Sequence, residues 1–350
     1  MINLIKSLLI IIFFKLYLVL EFTIFLKIIE FIGGTIFIKI FQSFKNTSSL
    51  EDTYMADGTI GCIENNNNII TKKLHPNIKT KLINSFDILN NILYYSDIPF
   101  PFNFDEYYNF SMIQVNLNKE REYSLRLKDI FKNIKNVEVI DIFYSNNDYH
   151  LSKFIIGLPV DIFLDKHPMY KNELIKLLYL SYYLMLINNF FHCDWHFGNF
   201  LVTLNNENNV VLHILDTGLM GSIEDTEHFV KLKNLLTVNL LRPDPINIIK
   251  YLSFINRNSN ADIIQFMNES IHFLNNNKHT NMIYKDIIIK IISNASMFKL
   301  ELPVVILYMF QGIVFMDKLL VDYNETYKEI KEFSKTNGFY DEIEKTIHLQ

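Results

Sequence analysis

Between Phe190 and Gly221 the chain reads FFHCDWHFGNFLVTLNNENNVVLHILDTGLMG, and no other stretch limits the possible folds as tightly. Two short apolar runs, Phe200 to Leu204 and Val210 to Leu215, bracket an Asn-rich turn, which predicts a β-hairpin. Asp194 lies in a polar loop after an apolar helical run, Asn199 follows five residues later, and Asp216 ends the second strand before Thr217-Gly218. Loops at strand ends allow carboxylate and amide oxygens from separate parts of the chain to converge on one bound group.

This order of residues matches what phosphoryl transfer with Mg-ATP requires. One Asp orients or deprotonates the acceptor, an Asn holds a metal, and a second Asp holds the metal that bridges the phosphates. A lone Asp or Asn in a polar loop is usually a cap or turn residue, but the joint pattern HxDxHxGN, hairpin, DxG is far rarer. His192 and His196 also stand at i, i+4 with Cys193 or Asp194 nearby, so zinc ligation is an alternative. The following Gly198-Asn199 suggests a loop, and no third ligand stands at helical spacing, which disfavours zinc.

Composition narrows the remaining classes. With 350 residues, 49% hydrophobic and 20% charged, the chain has the apolar surface for one large or two small domains, and disorder of the whole is excluded. A net charge of −5 speaks against a nucleic-acid binder held by phosphate contacts. Cys62 and Cys193 are far apart with no CxxC, so neither a disulfide scaffold nor a zinc ribbon is available, and a reducing, intracellular location is the default. Ile, Phe, Tyr, Asn and Lys are abundant and Ala is scarce; the Asn65 to Asn68 and Asn275 to Asn277 runs are first of all loop filler.

Residues 1 to 40 are the most apolar stretch, yet Lys15, Glu21 and Lys27 interrupt it. Three expectations stand for it: helices packed on the main domain, a membrane-surface or membrane-inserted helix, or a cleaved signal. Beyond a polar linker, Met55 to Ile63 and Ile69 to Leu74 predict a hairpin, with His75-Pro76 ending its second strand. Helical patterns at about 78 to 94 and 112 to 133 flank an aromatic, Pro-rich loop, PFPFNFDEYY. Val137 to Tyr144 and His150 to Ile156 predict two more strands, and from Tyr170 helices dominate. The expected class is α+β: an apolar helical extension over 1–45, a small antiparallel β-rich lobe with an inserted helix over 53–156, and a mostly helical lobe over 157–340.

The segment His192-Cys193-Asp194-Trp195-His196-Phe197-Gly198-Asn199 resembles the HADxHPGN catalytic loop of the UbiB/ADCK family of atypical kinase-like proteins. Leu215-Asp216-Thr217-Gly218-Leu219 resembles that family's LDFGL metal motif, and Ile70-Thr71-Lys72-Lys73-Leu74-His75-Pro76 resembles VAVKVQHP. Ala56-Asp57-Gly58-Thr59-Ile60-Gly61 resembles the alanine-rich AAASIG loop, residues 34–42 resemble the GPTFIKLGQ segment with its KxGQ signature, and Leu302-Pro303 resembles the closing LP-containing helix. The resemblance implies a two-lobed protein-kinase-like fold with ATP and Mg²⁺ as cofactors. It implies that Asp194 positions the acceptor, that Asn199 and Asp216 hold Mg²⁺, and that Lys72 binds phosphate oxygens while Glu120 pairs with Lys72. Ala56, Gly58, Thr59, Lys39 and Gln42 fall on the nucleotide-side elements. It further implies ATPase or small-molecule phosphotransfer chemistry linked to quinone or other lipid metabolism at a membrane, rather than protein phosphorylation.

Departures from the family pattern bear on turnover. The ExD motif falls on Gln114-Val115-Asn116, so two carboxylates have become amides, which lack the charge that stabilises a cation. Phe41 occupies the Gly position of KxGQ, Asp57 and Gly58 replace alanines, and Thr217 replaces Phe in the metal motif. Two alternatives follow: a pseudokinase scaffold with weak or no turnover, and an aminoglycoside- or choline-kinase-like phosphotransferase, against which the KxGQ-like stretch counts.

Overall fold

A computed structural model of the chain describes Lys6, Ser7, Ile10 and residues 61–66, 68–96, 102–239, 243–277, 283–322 and 327–348. The KxGQ-like Lys39 and Gln42 and the loop residues Ala56, Gly58 and Thr59 lie outside the described residues, as does nearly all of the expected 1–45 extension. Ser7 and Ile10 are buried, and the Ser7 hydroxyl donates to the Ile88 carbonyl at 3.1 Å.

In chain order the strands are β1 Gly61–Asn66, β2 Ile69–Leu74, β3 Val137–Val139, β4 Ile142–Ser145, β5 Tyr149–Lys153, β6 Leu158–Pro159, β7 Phe191–His192, β8 Phe200–Leu204, β9 Val210–Ile214 and β10 Met220–Gly221. The helices are α1 Ile78–Ser96, α2 Phe104–Met112, α3 Leu117–Phe131, α4 Val160–Lys166, α5 Lys171–Ile187, α6 Thr226–Asn239 and α7 Pro245–Ile255. They continue as α8 Ile263–Asn276, α9 Tyr284–Met297, α10 Val304–Asp322, α11 Tyr327–Thr336 and α12 Phe339–His348. This is the two-lobed α+β kinase-like fold, a β-sheet region followed by a mostly helical part. The described residues divide into two compact units: one holds Lys6, Ser7, Ile10, 61–66, 68–96, 104–118 and 143–154, the other 102–103, 119–142, 155–239, 243–277, 283–322 and 327–348.

In the first unit the sheet runs β1-β2-β5-β4. The β1–β2 hairpin pairs from Gly61↔Leu74 to Asn66↔Ile69, so Asn65 and Asn66 belong to a strand rather than to the turn. Helix α1 buries Ile78, Leu82, Phe86, Leu89 and Ile92 at spacings of three and four, the stripe of an amphipathic helix. The aromatic stretch expected to be a loop instead becomes α2 from Phe104. Asp105 and Glu106 in its first turn complement the positive helix N-terminus, and Phe86 meets Phe104, Tyr107 and Tyr108 edge-on at 5.0–5.9 Å.

In the second unit the sheet runs β3-β9-β8-β6, with the β8–β9 hairpin in the register Phe200↔Ile214 to Leu204↔Val210. The segment 137–144, expected as one strand, is two: β3 pairs parallel with β9, whereas β4 joins the first sheet. Every residue of β9 is buried, and α5 is buried from Leu174 to Ile187 except at Lys176. A helix apolar on all sides belongs at the centre of a core, and α5 fills that place. Among the described residues, no helix is long and apolar enough to cross a membrane.

The Asn-rich composition has a conformational use. Among the described residues, five of the six non-glycine positions with positive φ are Asn68, Asn77, Asn136, Asn189 and Asn208, the sixth being Lys299. Asn tolerates the left-handed region better than other side chains because its amide bonds locally. Asn189, at φ 50°, donates to the Ile223 carbonyl at 2.8 Å and accepts from the Ile223 N–H at 2.7 Å, fixing the turn from α5 into β7. Asn189→Ala is expected to cost about 2–4 kcal/mol from backbone strain plus a lost side-chain bond and an orphaned donor, whereas Asn189→Gly loses only the bonds. Urea unfolding of the two variants separates these contributions.

His213 interrupts the apolar β9. Its Nε2 lies 2.9 Å from Thr203 Oγ1 and its Nδ1 lies 3.2 Å from Glu138 Oε2. Burial lowers its pKa, and Glu138 only partly opposes this. The neutral ring is therefore favoured in the folded state. Its contribution to stability is present above about pH 6.5, the unfolded value, and is lost as pH falls toward the lowered folded value. The thermal midpoint of the native chain should fall more steeply between about pH 7.5 and 5.5 than that of His213→Gln.

Candidate active site

The site is assembled by a short antiparallel pairing. β7 and β10 pair Met220↔His192 and Gly221↔Phe191, and the Cys193 N–H continues the contact to the Leu219 carbonyl at 2.9 Å. The loop carrying Asp194 leaves β7, and the segment carrying Asp216 runs from β9 into β10, so this one pairing holds both.

His192 joins them directly. Its Nδ1 accepts the Asp194 N–H at 3.0 Å, and its Nε2 donates to the Asp216 carbonyl at 2.6 Å. The ring is buried, which lowers its pKa despite the nearby aspartates and holds it as the neutral tautomer this pair of bonds requires. With both nitrogens engaged by main chain, His192 is not a zinc ligand, and no cluster of three or more His, Cys, Asp or Glu capable of holding a metal occurs among the described residues. Trp195 fastens the loop from below. Its Nε1 donates to Met316 Sδ at 3.2 Å, and its ring meets Tyr182, His192 and Phe200 at 5.4, 5.5 and 4.4 Å.

Asn199 closes the 3-10 turn Phe197–Asn199. Its Nδ2 donates to the Asp194 carbonyl at 2.8 Å, and its own carbonyl accepts the Leu215 N–H at 2.9 Å, one residue before Asp216. Asp216 Oδ1 accepts the Gly218 N–H at 2.7 Å. Thr217, the departure from Phe, is buried and donates its hydroxyl to the Glu120 carbonyl at 2.9 Å, tying the metal motif to the first turn of α3. Glu120 is 1% exposed, and a Cβ at Gly218 would lie 3.0 Å from Asp216 Oδ1 and 3.5 Å from Glu120 Oε2. Gly218 therefore allows two carboxylates to approach one stretch of backbone.

The second unit thus brings Asp194, Asn199, Asp216 and Glu120 together. Lys72 belongs to the first unit, half-buried on β2 opposite Ile63 and His150. Lys73 points to the other face of the strand and pairs with Glu64 at 2.8 Å on the surface. Gln114 lies in the 3-10 turn Ile113–Val115 of the first unit, and Asn116 follows it. The linking roles of His192, Thr217 and Gly218 are not readable from spacing; the HxD adjacency in sequence is the one signal that points to the first of them.

The donor set suits a hard cation. With Nδ2 of Asn199 committed to the Asp194 carbonyl, the oxygen of the amide is the atom that could serve a metal, as could the Asp216 carboxylate. Mg²⁺ is usually held by one or two protein oxygens plus phosphates and water, so two ligands suffice.

The model of the ABC1 atypical kinase-like domain matches residues 34–252. The chain belongs to this family. The matched span contains residues 192–199 and 215–219, which resemble the family's catalytic loop and metal motif, together with Lys72 and the KxGQ-like segment on which the UbiB/ADCK resemblance rests. This kinase-like chain is 28% identical, over 150 residues, to the probable serine/threonine-protein kinase abkC of Dictyostelium discoideum, a span that is 40% of this chain and 22% of the relative. The match therefore takes in about a fifth of that relative's length. Among solved structures, it is similar to the Rv3197–erythromycin complex from Mycobacterium tuberculosis, at a TM-score of 0.41 and 13% identity, over 78% of this chain and 76% of that one.

Proposed function

We propose that the chain binds Mg-ATP and acts as an ATPase or a small-molecule or lipid-linked phosphotransferase. The observation that supports this most is the His192 bracket, which fixes the Asp194 loop and the Asp216 strand end to one ring. Two carboxylates and an amide held this way suit metal-bound phosphates. Asn199 and Asp216 would hold Mg²⁺, which when bound neutralises phosphate charge. Asp194 would orient the acceptor hydroxyl or water and take its proton. Lys72 would bind phosphate oxygens, supported by its position on the strand face away from the Lys73–Glu64 pair. The acceptor would be a quinone-type or other lipid-associated molecule, and membrane association through the apolar N-terminus fits that chemistry.

A scaffold reading is favoured by one feature: Gln114 and Asn116 stand where the family carries carboxylates. ATP hydrolysis measured with and without lipid vesicles decides between them. Turnover that vesicles increase, and that Asp194→Asn abolishes, supports the enzyme. Nucleotide binding with no hydrolysis under any lipid condition supports the scaffold. Lys72→Ala should weaken Mg-ATP binding about 10-fold or more, a charge-assisted contact being worth roughly 1.5–3 kcal/mol. Lys73→Ala should leave it unchanged, as an isothermal titration of both variants would read.

A further inference from the structure

We propose that His196 is a positioning residue for Asp194, its ring seated and its tautomer fixed by Gly198. The side chain folds back over the 3-10 turn it caps, so that Nδ1 accepts the Gly198 N–H at 3.0 Å. Nε2 then faces the carboxylate of Asp194, with Oδ1 at 3.5 Å. Both side chains are about half exposed, at 47% and 46%.

Gly198 is the residue that makes this seat possible. A Cβ there would lie 2.9 Å from Cε1 and 3.0 Å from Nδ1 of the His196 ring, and no other atom approaches within 4 Å. The backbone at Gly198 is not among those with positive φ, so its small size serves the ring and not a turn conformation. The ring can move only by giving up the Gly198 N–H.

Two tautomers compete. With the proton on Nε2, Nδ1 accepts from Gly198 and Nε2–H donates toward Asp194; the 3.3 Å approach of Asn199 Nδ2 to Nε2 is then a contact between two donors. With the proton on Nδ1, Nε2 accepts from Asn199, but the Gly198 N–H faces another N–H and a nitrogen lone pair faces the Asp194 carboxylate. The first arrangement has the shorter bond and a donor fixed by the backbone, and it replaces a repulsion with an attraction. At 3.5 Å the approach of His196 Nε2 to Asp194 Oδ1 is longer than a hydrogen bond, and such contacts often tighten only when substrate is engaged. Held this way, the oxygen of Asp194 that faces His196 is fixed in direction, and with it the plane of the carboxylate.

The activity arm of the test rests on the function proposed above, and the spectroscopic arm does not. In the full chain labelled with ¹⁵N-histidine, long-range ¹H–¹⁵N spectra locate the ring proton, with the signal assigned by its loss in His196→Asn. A proton on Nε2, with a resonance that moves in Asp194→Asn, is the expected result. A proton on Nδ1, or no response to Asp194→Asn, overturns the proposal whether or not the chain turns over. Where ATP hydrolysis is measured, His196→Asn keeps an oxygen to cap Gly198 but cannot reach Asp194. It should lower kcat about 10-fold or more, the usual effect of losing an orienting partner, with KM for ATP within about twofold. His196→Gln, whose amide nitrogen reaches the position of Nε2, should recover part of that loss. Gly198→Ala should reproduce the defect and add nothing to His196→Asn. A native kcat in His196→Asn, or additive losses in the double variant, would overturn the role.

Discussion

Asp216→Asn should remove the stabilisation that Mg-ATP is proposed to give the native chain. At a ligand concentration about 100 times its dissociation constant, a bound nucleotide adds about 2.7 kcal/mol to the stability of the folded state. Asn is isosteric with Asp and its Oδ1 can still accept the Gly218 N–H, now bonded at 2.7 Å. The local turn therefore survives and the fold is unchanged. What is lost is the negative charge of the Asp216 side chain, and with it the pull on a divalent cation. A 100-fold weaker affinity would leave only about 0.4 kcal/mol at the same nucleotide concentration. Thermal denaturation with and without Mg-ATP reads the difference. An equal midpoint shift in the native chain and in Asp216→Asn would remove Asp216 from the metal site.

Gly312→Ala should be among the most destabilising single-methyl changes in the chain, although it lies well outside the loop sequence. A Cβ on Gly312 would fall 2.0 Å from the Tyr182 hydroxyl oxygen and 2.2 Å from Cζ. Tyr182 cannot withdraw, because it is fully buried on α5 and its hydroxyl donates to the Met309 carbonyl at 3.1 Å. Burial pushes the Tyr182 pKa far up, so the hydroxyl remains a donor at any working pH. Overpacking costs about 1–3 kcal/mol, and an orphaned buried hydrogen bond about 1–3 kcal/mol more. Together they give a fall in the thermal midpoint on the order of 10 °C. The Tyr182 ring also rests against Trp195, so the displacement should reach the catalytic loop and weaken Mg-ATP binding. Tyr182→Phe, which loses the hydroxyl but adds no atoms, should cost only about 1 kcal/mol. A Gly312→Ala midpoint within about 1 °C of native would mean that α10 and α5 yield to each other far more readily than this packing allows.

Much of the candidate site's framework is legible in the sequence because hairpin and loop patterns set an order along the chain. The β8–β9 hairpin follows from two apolar runs around an Asn-rich turn, and Asp194, Asn199 and Asp216 fall at the loops on either side of it. Strand β2 is equally legible, bounded by its β-branched start and by His75-Pro76. The hydrogen bonds that make the loops one site are not legible, since nothing in spacing says that His192 bonds forward to Asp194 and across to Asp216. Thr217 looks like a departure in sequence, yet its hydroxyl ties the motif to Glu120. Helix α2 is hidden by the prolines and aromatic residues before it, which suggest a loop; the acidic first turn and the rings around Phe86 override that suggestion. The parallel β3–β9 pairing is a long-range contact that no local pattern encodes. The abundance of Asn, which looks like filler, supplies left-handed positions at five turns.

The central claim is that the Asp194–Asn199–Asp216 constellation receives Mg-ATP. Isothermal titration of the native chain with ATP, in the presence of Mg²⁺ and then of EDTA, tests it most directly. Saturable binding that requires Mg²⁺ and is lost in Asp216→Asn is the predicted result. Heats indistinguishable from dilution in the native chain with Mg²⁺ present would contradict it.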